Sequence, residues 1–346
     1  MSRIFITGGS GYIGSHTVLE LARTGKHQIV VFDNLKNGHK EALQIISAET
    51  GQEVKLIEGD LLNYQQIESA LATDKFDMVI HFAALIEAGV SVVHPTKFYD
   101  NNVVGSLNLI KAMQKNGVKK IVFSSTAAVY GTPTTPVVDE NSPLKPESAY
   151  GSSKLLVENI LRTLADPNVD PAEKIDSVIL RYFNAAGADP GMLIGQDYPN
   201  PTHLITVAIE TAFGKREKLT IFGKDYPTAD GTCVRDYIHV SDLATAHEKA
   251  VNYLTGFIGS EVINIGTGKG TSNLEIAKMV EQIHGSLKYD FGEPRLGDPI
   301  SFHASNQKAK EILGWEPKLD VSQAVQHSFN WIKAYPNGYK DRLPVN

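Results

Sequence analysis

Short runs of apolar, often β-branched residues alternate along the first half of this chain with longer stretches whose apolar positions recur at helical spacing. Arg3–Thr7, Gln28–Phe32, Val54–Glu58, Met78–Phe82, Lys120–Ser124 and Ser177–Tyr182 predict strands. Ile13–Arg23, Gln65–Leu71 and Val103–Asn116 predict helices between them. Ile29-Val30-Val31-Phe32 is apolar at every position, which suits a strand buried on both faces of a parallel sheet. The alternation predicts an α/β fold built on a doubly wound parallel sheet. After about residue 184 the pattern loosens. Gly187–Thr202 is rich in Gly, Pro, Asp and Asn and predicts an irregular loop; Val262–Ile265 then predicts a strand and Ser272–His284 a helix. These changes divide the chain into a first unit, 1–184, and a second, 185–346, with strands at about 232–266 returning to the first sheet. No internal repeat is visible.

Composition narrows the class. At 346 residues the chain is long enough to bury a core without disulfides or metals, and its single cysteine, Cys233, excludes an internal disulfide or a multi-cysteine metal site. A reducing compartment fits. The 33 Lys+Arg against 39 Asp+Glu leave a net charge of −6 with no long basic run, which argues against general nucleic-acid binding. No stretch reaches the ~20 apolar residues of a membrane helix, and the N-terminal apolar run is too short for a signal-peptide core. The expectation is a soluble cytoplasmic protein.

Residues 7–14 read Thr-Gly-Gly-Ser-Gly-Tyr-Ile-Gly between a predicted strand and a predicted helix. Gly8, Gly11 and Gly14 fit the spacing of a dinucleotide loop, in which glycine permits close backbone approach and the helix N-terminus favours a pyrophosphate. Asp33 ends the second strand. A carboxylate there accepts from ribose hydroxyls and repels a 2′-phosphate, which favours NAD over NADP; the alternative is a solvated turn residue. Asp60 ends the third strand, where an adenine contact is expected. Gly266-Thr267-Gly268-Lys269-Gly270-Thr271 also follows an apolar strand, but it lacks both the Gly-Lys-Ser/Thr ending of a nucleotide P-loop and dinucleotide spacing. It reads as a turn before a helix capped by Ser272.

Tyr150-Gly151-Ser152-Ser153-Lys154 places a phenol and an ammonium four residues apart, on one helix face. A tyrosine is a poor base at pH 7; lowering its pKa by about 3 units takes on the order of 4 kcal/mol. A fixed ammonium and the positive nicotinamide of a bound cofactor are the expected sources. Phe123-Ser124-Ser125-Thr126 ends a strand with hydroxyls that can meet a substrate.

On these segments the chain resembles the UDP-glucose 4-epimerases, extended short-chain dehydrogenase/reductases. The resemblance runs through Gly8–Thr17, Asp33-Asn34-Leu35, Glu58-Gly59-Asp60, His81-Phe82-Ala83-Ala84, Tyr99-Asp100-Asn101-Asn102-Val103 and Tyr150–Lys154. It continues through Leu180-Arg181-Tyr182-Phe183-Asn184, Ile221–Thr232 and Val234–Val240. It implies a Rossmann-like sheet with a smaller mixed α/β substrate-binding domain, tightly held NAD, and C4 epimerisation of UDP-glucose and UDP-galactose through a transient 4-keto sugar. Tyr150 is then base and acid, Lys154 lowers its pKa and binds the nicotinamide ribose, and Thr126 bonds the sugar O4. For the cofactor the resemblance implies Gly8, Gly11, Tyr12, Ile13, Gly14, Asp33, Asn34, Asn37, Asp60, Leu61, Phe82, Ala83, Ala84, Asn101, Ser124 and Tyr182 beside Tyr150 and Lys154. For the substrate it implies Thr126, Tyr150, Asn184, His203, Leu204, Phe222, Arg235, Arg295, Asp298 and Phe302. No metal is implied. A homodimer built from the helices around Val103–Lys115 and Tyr150–Leu164 is.

The chain departs from the pattern at three places. Ile86, followed by Glu87, stands where some relatives carry a lysine near the cofactor. His203 replaces an asparagine. Phe302 occupies the position thought to gate N-acetyl sugars, and its ring is expected to crowd a 2-acetamido group. Competing readings are a 4-epimerase of UDP-N-acetylhexosamines or UDP-hexuronates, and a non-catalytic NAD-sensing protein. A sugar-nucleotide 4,6-dehydratase needs an acid/base pair beside Thr126, where this chain has Ala127 and Ala128.

Overall fold

The computed structural model describes residues 1–294 and 299–342. Five strands open the chain: β1 (Ser2–Thr7), β2 (His27–Asp33), β3 (Val54–Glu58), β4 (Met78–His81) and β5 (Lys120–Thr126). After the short β6 (Val137–Val138) come β7 (Asp176–Tyr182), β8 (Asn184–Ala186), β9 (Leu219–Phe222), β10 (Val234–Arg235) and β11 (Tyr237–His239). The last are β12 (Ser260–Ile265), β13 (Thr271–Ser272), β14 (Tyr289–Gly292) and β15 (Ser301–Ala304). Seven of them make one sheet in the order β3-β2-β1-β4-β5-β7-β12. Every pairing in it is parallel. The six strands expected from the sequence all belong to it, and the late strand at Val262–Ile265 returns as its edge.

Side chains on a strand alternate between faces. Ile4, Ile6, Ile29, Val31, Met78, Ile80, Val122, Val178 and Leu180 point one way. They meet α1 (Tyr12–Thr24), α2 (Lys40–Thr50) and, further along, α9 (Val240–Gly256). Phe5, Val30, Phe32, Val79, Ile121, Phe123 and Ile179 point the other way, onto α3 (Tyr64–Leu71), α6 (Gly105–Lys115) and α7 (Ala149–Leu164). Both faces are covered, so the strands read as unbroken apolar runs. Two short helices, α4 (Ala88–Val93) and α5 (Pro95–Phe98), and a π-helical turn, Tyr99–Val104, lead into α6.

Beyond β7 the smaller sheets take over: β8 beside β11, β9 beside β14, and β13-β10-β15-β6. The strand β6, from the first half of the chain, pairs with β15 from its end. Helices α8 (Leu204–Ala212), α10 (Asn273–His284) and α11 (Val321–Ala334) surround them. Ser272 caps α10 in a reciprocal capping box with Glu275. In the glycine-rich turn before it, the Thr267 and Gly268 amides and the Thr267 hydroxyl all donate to the buried Asp236 carboxylate. The Thr267 and Gly268 amides are therefore satisfied by the chain itself.

One buried ion pair ties α7 to the sheet. Glu158 of α7 accepts two hydrogen bonds from Arg181 Nε, at 3.0 and 3.2 Å, and one from its Nη2, at 2.6 Å; both side chains are essentially excluded from solvent. Ser125 donates to the same carboxylate. Arg181 also reaches the Tyr130 hydroxyl at 3.0 Å, which donates to Asn264 on β12 at 2.7 Å.

Several buried histidines are held neutral. His81 lies between the Thr7 and Ser106 hydroxyls at 2.7 and 2.8 Å. His247 sits between the Leu243 carbonyl and Ser124 Oγ at 2.8 and 2.9 Å. Burial pushes His81 down to about 3 and His247 to about 4, and does the same to His239 (about 3) and His16 (about 4). Unfolding restores an ordinary pKa near 6.5, so below that pH the unfolded chain binds protons the folded one refuses. Their stability contribution is whole above about pH 6.5 and is lost as pH falls toward 4, by up to about 1.4 kcal/mol per pH unit for each histidine. Urea midpoints measured across this window are expected to fall steadily with pH; a flat profile would contradict it.

Candidate active site

The glycine loop joins β1 to α1 at the carboxyl end of the sheet. Gly8 has φ +72°, and a Cβ there would stand 2.6 Å from the Ala83 backbone nitrogen. A Cβ on Gly14 would stand 2.2 Å from the Gly8 carbonyl oxygen. These two glycines are demanded by the protein's own packing. Gly11 differs: a Cβ there meets only the Gly8 carbonyl oxygen, at 3.4 Å. Its bareness leaves room for something outside the fold. Gly11 is also the N-cap of α1 and supplies no side-chain cap, so the helix begins with amides directed outward. Buried Ser10 Oγ has no hydrogen-bond partner among the described residues.

A cleft of about 930 Å³ opens over this loop. Gly8, Gly11, Tyr12, Ile13, Gly14, Asp33, Asn34, Asn37, Asp60, Leu61, Phe82, Ala83, Ala84, Asn101 and Tyr182 line it, as do Ile86 and Tyr198. The Asp33 carboxylate accepts from the Ser10 and Leu35 amides at 3.1 and 2.9 Å, which fixes its orientation. Asn34 donates to Asp60 at 3.0 Å, closing the far end. Glycine bareness, helix amides and an oriented carboxylate fit an adenine dinucleotide without a 2′-phosphate.

The reactive side chains gather where β5 ends. Ser148 caps α7, accepting from the Gly151 amide at 3.1 Å, so Tyr150 falls in the first turn and Lys154 one turn on. The Tyr150 amide donates to Ser91 Oγ of α4 at 3.0 Å. Thr126 Oγ1 accepts from the Ala128 amide at 3.1 Å, which leaves its hydroxyl proton for the Tyr150 oxygen. Lys154 donates to the Ser124 carbonyl at 2.8 Å and lies 4.9 Å from the Phe123 ring centre. Asn102 braces the loop after β4, donating to the Leu85 carbonyl and to Ser153 Oγ, both at 3.0 Å.

Burial dominates the electrostatics. It pushes the Tyr150 phenol up; the Thr126 hydrogen bond pulls it down and the Glu87 carboxylate pushes it further up. It lowers Lys154 to about 7, against the pull of Glu158. The sequence predicts that the Lys154 ammonium and the nicotinamide's positive charge together depress Tyr150; in the chain by itself burial outweighs the pull on the phenol. One of the ammonium's three donors is taken by the Ser124 carbonyl. Ser124 Oγ meets His247 Nε2, and since His247 Nδ1 must donate to the Leu243 carbonyl, Ser124 is the donor.

A second cavity, about 740 Å³, is lined by Asn184, Gln196, Thr202, His203, Leu204, Thr206, Arg235 and Tyr237. Four substrate candidates thus share one wall: Asn184, His203, Leu204 and Arg235. Two others stand elsewhere. Phe222 lies on β9, paired with Gly292, outside the lining. Phe302 is buried against Phe183 and Tyr130, ring centres 5.0 and 6.3 Å away, because its position on β15 turns the ring into an apolar cluster. Phe302 does not line this cavity, although it pairs with Arg235, which does. Arg295 and Asp298 lie outside the described residues. Sequence reasoning missed Tyr198, Gln196 and Thr206. Tyr198 and Gln196 sit in the irregular 187–202 segment, which carries no periodic signal. Among the described residues no cluster of His, Cys, Asp or Glu is placed to hold a metal ion.

Residues 4–266 match the model of the NAD dependent epimerase/dehydratase family, and the chain belongs to that family. It is 45% identical to the UDP-glucose 4-epimerase of Bacillus subtilis (strain 168), over 97% of this chain and 98% of that one. Its fold superposes with TM-score 0.91 on the UDP-glucose 4-epimerase from Bifidobacterium longum, crystallised with NAD+ and UDP, at 39% identity over 97% of this chain and 100% of that one. The UDP-Glc/GlcNAc 4-epimerase of Campylobacter jejuni is similar at TM-score 0.83 and 43% identity, over 96% and 99% of the two chains.

The glycines separate fold from cofactor. Gly14→Ala is expected to lower the melting temperature, since its methyl has only backbone to push against. Gly11→Ala is expected to change stability by no more than about 1 kcal/mol yet weaken NAD binding by at least about tenfold. Thermal melts and NAD titrations of both variants distinguish the two roles.

Proposed function

We propose that this chain interconverts UDP-glucose and UDP-galactose by epimerisation at C4. The observation that carries the reading is the convergence of Tyr150, Lys154 and Thr126 at the end of β5, where Thr126 pairs with Tyr182, a residue lining the cleft over the glycine loop. Bound NAD supplies a reversible hydride acceptor. Tyr150 takes the C4 hydroxyl proton and later returns it. Thr126, whose hydroxyl faces the Tyr150 oxygen, holds the sugar O4 when substrate is bound. Lys154 orients the nicotinamide ribose and, when protonated, favours the tyrosinate. Asp33 holds the adenosine ribose. Arg235 and Asn184 face the diphosphate and sugar, and Leu204 and His203 flank the uracil. A guanidinium suits a diphosphate because its donors match two phosphate oxygens at once.

In this reading residues 1–184 hold NAD, with β12 returning to their sheet, and 185–346 mainly grip the UDP-sugar. A homodimer through α6 and α7 is part of the proposal, supported by the exposed apolar Val104 and Leu156 at that surface. Among the described residues no helix is long and apolar enough to cross a membrane, and a cytoplasmic location is proposed with it. Phe302, seated off the cavity, favours a second reading in which UDP-N-acetylhexosamines also turn over.

Purified protein incubated with UDP-galactose is expected to yield UDP-glucose without added oxidant. Tyr150→Phe is expected to lose at least about a thousandfold in kcat while keeping NAD, since both proton transfers depend on the phenol. Near-normal kcat in that variant would overturn the mechanism. UDP-N-acetylglucosamine offered in the same assay decides between the two substrate readings by its kcat/KM.

A further inference from the structure

The NAD cleft has one wall that no glycine or strand end accounts for. Tyr198 lines it, across from the Asp33–Gly38 loop. Its hydroxyl reaches the Tyr12 amide, at the α1 N-terminus that favours a pyrophosphate. Yet Tyr198 belongs to a segment with no helix or strand of its own, and such segments open at low cost unless something holds them.

Two distant parts of the chain hold it. His39, which follows the Asp33–Gly38 loop, places Nε2 2.8 Å from the Asp197 carbonyl oxygen. A carbonyl only accepts, so His39 is the donor. From the C-terminal end, the Tyr339 amide donates to Asp197 Oδ2 at 3.0 Å. The Tyr339 hydroxyl donates to the Gly195 carbonyl at 3.1 Å and accepts from the Gly195 amide at 3.2 Å. The His39 and Tyr339 rings lie 4.9 Å apart, tilted by 35°. The turn is shaped for this contact. Gly338 has φ +65°, and a Cβ there would stand 2.0 Å from Asp197 Oδ2. Gly195 in turn leaves space for the Trp331 ring, 2.4 Å from where its Cβ would be.

We propose that Tyr198 is the gate on NAD release and that His39 and Tyr339, clasping Asp197 and Gly195, are positioning residues that keep it shut. Neither His39 nor Tyr339 lines the cleft. Through the segment that carries Tyr198 they set the rate at which NAD leaves and not the chemistry at Tyr150.

The test follows release of labelled NAD from the full-length protein after a chase with excess unlabelled NAD. His39→Ala and Tyr339→Phe are each expected to speed release about tenfold, the loss of roughly one or two hydrogen bonds. Their kcat at saturating NAD stays within about twofold of wild type. Tyr198→Ala is expected to release NAD at least as fast, and adding His39→Ala to it gives no further acceleration. Release within about twofold of wild type in His39→Ala, a partly exposed side chain whose loss leaves the core untouched, would overturn the proposal. So would full additivity of His39→Ala and Tyr198→Ala, because a merely structural effect adds where a shared gate does not.

Discussion

The arrangement of reactive groups rests on the buried Glu158–Arg181 pair. Tyr150, Lys154 and Glu158 lie at four-residue intervals on one face of α7, and that face meets the end of β5 only if the helix is held at one depth and one rotation. Apolar packing through Val157 and Leu161 fixes the depth but tolerates sliding. A guanidinium and a carboxylate with three hydrogen bonds between them do not tolerate it, because removing either partner strands a charge in the core at several kcal/mol. The pair also spans strands: Arg181 stands on β7, Ser125 on β5, and Tyr130 carries the network to Asn264 on β12. The helix is therefore registered against three adjacent strands at once.

From that constraint the site's electrostatics follow. The burial that makes the ion pair rigid also encloses Tyr150 and Lys154, and it disfavours the charged form of each. Neither group is an effective ionised catalyst by virtue of its neighbours in the chain. Within the chain the Thr126 hydroxyl favours a tyrosinate; on the proposed mechanism Lys154, when protonated, and the positive charge that enters the cleft with the cofactor add to it. Glu87, placed close enough to raise both Tyr150 and Tyr198, opposes them. Reactivity is thus tied to an occupied cleft.

The fold was legible because its signals are local. A strand buried on both faces must be apolar throughout, and the glycine loop needs three bare positions within seven residues. The Tyr150–Lys154 spacing was legible for the same reason, one helical turn being a local geometry. What was not legible depends on distant partners. Phe302 is a strand residue, and which face of β15 it occupies is decided by pairing with β10 and β6, not by its neighbours in sequence. Tyr198 is fixed by residues about 160 before it and about 140 after it, through single hydrogen bonds that leave no periodicity. The pKa directions of Tyr150 and Lys154 in the chain by itself were not legible for a related reason: motif spacing reveals proximity, whereas burial, the largest cause at both, belongs to the whole fold.

The departure at Ile86 then takes on physical meaning. A lysine beside a pyrophosphate strengthens binding by charge, an effect that salt screens over roughly 10 Å. An isoleucine in the cleft wall offers no such attraction. A loop clasped by hydrogen bonds, one of them to the Asp197 carboxylate, and by tilted ring packing acts differently. It adds little to the encounter and slows departure by requiring several contacts to break together. For a cofactor that is restored in every catalytic cycle, slow departure costs nothing in turnover, so retention by closure can replace retention by charge. On the proposed reading, helix amides and Asp33 serve recognition, and holding falls to a segment that the sequence shows only as a gap between patterns.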